Sequence, residues 1–217
     1  MAKKLGFDLP NGCHLVHGSG SLIKTAYSPE TGLPGTLQIL SYGHDQDSSS
    51  VAFCGPSGLF QFDTTCRMPR HVHMAPTKEG EGMQYVVEKI IVLNGVAITE
   101  LGGEIYVVPP DTMVTIGHGV PHSWVAAPSG MDLQALGVAD EPIVSRGQFL
   151  AVFEYEMPTS FFPTRQTQTL HTEEDYVRCD DLHSIRIAEM DAEYLRKNAW
   201  FVWGNSCRKL GSTKHSN

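Results

Sequence analysis

Arg70-His71-Val72-His73 and Gly119-Val120-Pro121-His122-Ser123-Trp124 stand about fifty residues apart, and between them runs Val86-Val87-Glu88-Lys89-Ile90-Ile91-Val92-Leu93. On a β-strand residues i and i+2 share a face, so His71 and His73 aim two imidazoles at one point. The middle run is strand-like and apolar, and Glu88 is its one acid. A carboxylate buried there without a partner is costly, so Glu88 calls for one. His122 follows a Gly-Val-Pro turn and opens a further strand. Three imidazoles and a carboxylate carried by strands form a pattern suited to a mononuclear metal site inside a small barrel.

Working outward, short strand signals dominate the chain. Thr36–Tyr42, Val51–Phe53 and Leu59–Phe62 precede the first histidine pair. Val86–Leu93, Val96–Thr99, Ile105–Val108, Met113–Ile116 and Ser123–Ala126 follow it, with Leu133–Val138 and Phe149–Tyr155 beyond. Gly, Pro, Asn or Asp separates most of these runs, which predicts an all-β sandwich, barrel or jelly roll. Residues 1–35 are rich in Gly and Pro and read as an irregular N-terminal arm. Residues 36–160 form the expected barrel. Residues 161–217 read as a partly helical extension, with helical spacing over Ile185–Phe201 and a polar tail after Cys207 expected to be disordered.

Composition excludes several classes. Lys and Arg number 16 against 24 Asp and Glu, a net charge of -8, and no basic stripe appears, so nucleic acid is not an expected partner. No apolar run reaches membrane-spanning length, and the start lacks the apolar core of a secretory signal, which points to the cytoplasm. Five scattered cysteines without Cys-x-x-Cys argue against a disulfide framework or a zinc ribbon. Cys66, five residues before His71, is a candidate to line the same cavity.

The stretch from about residue 65 to 126 resembles the two motifs of the cupin superfamily. The first family motif reads here as His71-Val72-His73, then Glu88, six residues and Gly95. The second reads as Asp111, five residues, Gly117-His118-Gly119, two residues and His122. Two departures stand out. Fourteen residues separate His73 from Glu88, where the family has three or four, and Asp111 and Gly117 replace the usual Gly and Pro. The long spacer leaves Glu79, Glu81 and Gln84 as rivals to Glu88 for the acid ligand. Glu88 keeps the family's spacing to Gly95.

The resemblance implies a cupin double-stranded β-helix with one or two C-terminal helices packed on it. It also implies one transition metal ion per chain on His71, His73, Glu88 and His122. Fe, Ni, Mn, Cu and Zn all suit such ligands, with Fe favoured. By resemblance to quercetin 2,3-dioxygenase-like proteins, the expected activity is a dioxygenase acting on an aromatic or polyketide-like phenol or enol, with Glu88 taking the substrate's proton. The alternative is non-oxidative Lewis-acid chemistry by an isomerase, lyase, decarboxylase or cyclase. A non-catalytic small-molecule binding protein is the third reading. A homodimer is expected by the same resemblance.

Around the site, Gln84, Val86, Ile90, Val92, Trp124 and Met83 are the candidate substrate-binding residues, and their mostly apolar character favours an apolar or aromatic ligand. His118, in a Gly-His-Gly setting, is a candidate general acid or base beside Glu88. The insert Met74–Val87, with two glycines, is a candidate lid. Phe149, Phe153 and Tyr155 fit either a pocket wall or the core.

Overall fold

The computed structural model describes residues 5–25, 36–41, 53–78 and 80–210. In chain order the strands are β1 (Phe7–Asp8), β2 (His14–His17), β3 (Leu22–Thr25), β4 (Thr36–Ile39), β5 (Ser57–Asp63), β6 (His71–Pro76), β7 (Met83–Tyr85) and β8 (Glu88–Gly95). Then come β9 (Ala97–Leu101), β10 (Glu104–Val108), β11 (Thr112–Ile116), β12 (His122–Ala126), β13 (Gln148–Tyr155), β14 (Ser160–Pro163), β15 (Trp200–Trp203) and β16 (Ser206–Lys209). They build one sheet in the order β1-β2-β11-β8-β13-β5 and a second in the order β14-β6-β12-β9-β10-β15-β16, with β7 added to β6. The protein is an all-β, cupin-like jelly roll, as the strand spacing predicts.

Strand parity builds the core. On β8, Glu88, Ile90 and Val92 are buried while Lys89 and Leu93 are not. On β9 and β12 both faces are buried. Ala97, Leu101, Trp124 and Ala126 meet Leu15, Ile90, Val92 and Phe149 of the other sheet in the main core. Ile98, Val107 and Val125 face outward under a second apolar layer that includes Leu133, Ile187 and Leu195. Each fully buried large apolar side chain stabilises the fold by about 1.5–3 kcal/mol. β8 ends at Gly95, whose φ of 75° is open to glycine, and where a Cβ would collide with the Gln148 carbonyl oxygen. The register with β13 skips Leu93 just before this point, a local bulge.

Several sequence expectations change. The N-terminal segment is more than an irregular arm. Its β2 pairs with β11 inside the first sheet, and its four residues are buried. Leu133–Val138 is a turn, because the Asp132 carboxylate accepts the N–H groups of Gln134 and Ala135 and curls the chain. The helix is restricted to Ala192–Asn198, capped by Asp191. The aromatic run beyond it, Trp200–Trp203, instead joins β10 as a parallel strand. The polar loop at residues 45–50, the run at 51–52 and the tail from 211 lie outside the described residues. Among the described residues no helix is long and apolar enough to cross a membrane.

Candidate active site

β6, β12 and β8 deliver the site. β6 places His71 and His73 on the inner face, and β12 pairs His122 directly with His71. The turn before β12 needs Gly119, at φ 68°, where a Cβ would collide with the Leu170 carbonyl oxygen. β8 brings Glu88 opposite Tyr155 of β13. The long spacer is absorbed by β7, which folds back on β6 with Met74 facing Tyr85. Glu88 therefore still reaches the cluster. Glu81 is exposed, and Glu79 lies outside the described residues.

The four residues are at most 4% exposed. Each imidazole is held from behind by a backbone carbonyl: His71 Nδ1 on Pro69 at 2.8 Å, His73 Nδ1 on Ser160 at 3.2 Å and His122 Nδ1 on Val120 at 2.9 Å. A carbonyl oxygen only accepts, so each Nδ1 carries a proton and each Nε2 is left to face inward. His122 Nε2 stands 3.0 Å and His73 Nε2 3.5 Å from Glu88 Oε2. None of these three atoms has a further hydrogen-bond partner among the described residues. Acceptors crowded this way require a positive centre among them, either a proton or a cation. One ligand atom from each of His71, His73 and His122 lies within 4.8 Å of the others, so these residues could hold a metal ion, which there would act as a Lewis acid.

Electrostatics separates the titrating groups. Burial opposes ionisation of Glu88, but the charges and hydrogen bonds of His73 and His122 outweigh it and hold its carboxyl well below the ordinary range. Burial, then the neighbouring His122 and His73, push His71 well below the usual histidine value. Tyr155 is driven far above the usual phenol value, first by burial and then by the charge and hydrogen bond of Glu88. Its ring lies 4.7 Å from that of His73.

A cavity of about 250 Å³ opens on this cluster, walled by His71, Glu88, Tyr155 and a set of apolar side chains. Ile90 and Trp124 are in its wall, as expected from sequence. Val92 lies in the main core, and Val86 packs with Ala75 and Tyr155 beside the site. Gln84 and Met83 sit on β7 outside the wall. The Gln84 amide donates to Met157 Sδ, and the Met83 N–H donates to Glu173. His118 is on the far side of the sheet, paired with Glu156 at 3.1 Å and facing a different groove. Cys66 is exposed and does not line the cavity. Phe60, Phe62, Met68 and Phe161 complete the wall and were not anticipated. The alternation of Phe60 and Phe62 was the available signal for one shared face.

No family model and no curated protein matches the sequence. Solved structures do share features of the fold. A dTDP-4-dehydrorhamnose 3,5-epimerase from Elizabethkingia anophelis is 8% identical over 83% of this chain and 93% of its own, with a TM-score of 0.46. The 4-keto-6-deoxy sugar epimerase NovW from Streptomyces spheroides is 9% identical over 70% and 67%, with a TM-score of 0.40. A Mycobacterium tuberculosis epimerase is 10% identical over 71% and 67%, with a TM-score of 0.39. Epimerisation inverts a stereocentre without net oxidation. These neighbours correct the expectation of a quercetin 2,3-dioxygenase-like oxidoreductase. The resident transition metal, iron favoured, that was expected to serve that oxidation is corrected with it.

Proposed function

We propose that the chain is a redox-neutral enzyme, an isomerase or lyase, that moves a proton on a small, largely apolar molecule held in the barrel cavity. The observation that carries this reading is the pairing of Glu88 with Tyr155. They face each other across β8 and β13, and their surroundings push them in opposite directions. Two groups driven apart in this way divide naturally into base and acid. Glu88 is held as a carboxylate and takes a proton from a carbon beside a carbonyl. Tyr155 keeps its proton and supplies one in return. The imidazoles, tied at Nδ1, turn their Nε2 atoms toward Glu88 and share the proton it accepts.

The size and polarity of the cavity support a small neutral substrate. At roughly 25 Å³ per non-hydrogen atom, the ratio for benzene in a cavity of about 150 Å³, it holds on the order of ten such atoms. Among the described residues no Lys or Arg stands in the wall, so these residues offer none of the cations that recognise phosphate. Hydrogen exchange tests the reading. Phenylacetone and related ketones are incubated with the protein in D2O under nitrogen, and deuterium at the carbon beside the carbonyl is followed by NMR. Catalysed exchange without dioxygen is expected, with a loss of about a hundredfold or more in Glu88→Gln. Exchange equal in Glu88→Gln and the intact protein, or a full equivalent of transition metal in the purified chain, overturns proton sharing by Glu88.

A further inference from the structure

The chain has three tryptophans, and their indole N–H groups meet different fates. Trp200 Nε1 donates to Glu104 at 3.0 Å, and Trp203 Nε1 donates to Asp140 at 3.1 Å. Trp124 is 1% exposed, and its Nε1 reaches no acceptor among the described residues. It also stands in the cavity wall. The wall's other donors are committed, with His71 Nδ1 on the Pro69 carbonyl and the Tyr155 hydroxyl on Glu88. An uncommitted N–H therefore belongs to a residue of the wall, amid apolar carbon. A buried donor left without an acceptor is costly, so such a group is a demand for an oxygen.

We propose that Trp124 Nε1 is the specificity-determining donor of the cavity, and that it selects neutral carbonyl compounds of aromatic size by binding their oxygen. Apolar ring area is met by Phe60, Phe62, Phe153 and Phe161, whose faces suit a flat ligand. A charged acid is disfavoured, because Glu88 shares the wall and no Lys or Arg stands there among the described residues. An oxygen held on an N–H donor also acidifies the neighbouring C–H bond, since negative charge gathers on that oxygen as the proton leaves. The inference rests on the reading that the cavity is the substrate site and names the substrate class it takes. Its test measures binding alone, so it fails or stands independently of turnover.

Acetophenone and its near-isosteric hydrocarbon cumene are titrated into protein labelled with 15N-tryptophan. Acetophenone is expected to move the Trp124 indole resonance downfield and to bind more tightly than cumene, while the Trp200 and Trp203 indoles stay in place. Trp124→Phe is expected to weaken acetophenone roughly fivefold to tenfold, the loss of one hydrogen bond, and to leave cumene unchanged. If that variant fails to fold, the resonance shift in the unaltered protein still decides the matter. Equal affinity for ketone and hydrocarbon, or an indole resonance that moves equally with both, overturns the proposal.

Discussion

Among the described residues, two histidine–glutamate pairs of nearly equal length sit in opposite surroundings, one buried and one open. His122 and Glu88 meet at 3.0 Å with side chains 2% and 6% exposed. His118 and Glu156 meet at 3.1 Å with side chains 57% and 18% exposed. The pairs are near neighbours in sequence. Glu88 follows Val87, whose N–H donates to Glu156, and Glu156 follows Tyr155, which faces Glu88. Successive residues of extended chain point to opposite faces, so the single step from Tyr155, the last residue of β13, to Glu156 separates the buried site from the open groove. Distance is thus the same and environment is not. Moving a pair from bulk water to a protein interior strengthens its Coulomb interaction about fourfold, taking effective dielectric constants of roughly 80 and 20. Only the inner pair also faces a walled cavity with a phenol opposite.

The largest expected effect is a contrast between matched substitutions. His122→Ala removes an imidazole that shares the Glu88 proton, and should lower ketone hydrogen exchange by about a hundredfold or more. His118→Ala should leave that rate within about twofold, because its ring faces the outer groove. Exchange rates of the two variants, measured beside circular dichroism to confirm folding, decide it. Similar losses in both would erase the distinction between the inner and outer pairs.

Acid should weaken the fold through the inner site. Burial, then the other two imidazoles, lowers the His71 pKa well below its ordinary 6.5. An unfolded chain takes up that proton at the ordinary value, while the folded chain resists it. The resulting stability is full above pH 6.5 and is lost as pH falls toward the folded value. Glu88, also lowered, adds a second loss below its ordinary 4.5. The melting temperature should therefore fall from pH 7 to 5, and His71→Asn should flatten part of that slope. A flat profile in the unaltered protein would remove His71 as a buried neutral group.

Much of the inner site was legible because strand parity is local. His71 and His73 share a face by spacing alone, and Glu88 is the sole acid in its run. Ile90 and Trp124 follow from the same alternation. The rest depends on which sheets close on each other. Phe60, Phe62 and Phe161 belong to β5 and β14, the two sheet edges beside the cavity, and nothing in their own segments says that those edges converge. Tyr155 fitted both core and wall until its register with Glu88 was known. β2 and β15 join their sheets through pairings about a hundred residues distant, with β11 and β10, beyond the reach of periodicity. His118, in its Gly-His-Gly setting four residues before His122, reads from sequence as part of the site. The turn at Gly119 reverses that inference, turning His122 inward and leaving His118 on the outer groove.

The smallest expected effect concerns the outer carboxylate. Glu156 accepts from His118 and from the Val87 N–H, one contact exposed and one partly buried. Glu156→Gln keeps an acceptor oxygen for the backbone and loses only charge in a solvated setting. The expected change in stability is under about 1 kcal/mol, or a shift of roughly 2–4 °C at most for a chain of this size. A larger drop would mean that the outer carboxylate braces β8 at Val87, and through it the position of Glu88. The two faces would then be mechanically coupled, and Glu156→Gln should lower the exchange rate as well as the melting temperature. Measuring both on the same variant separates a solvated surface pair from a brace behind the inner site.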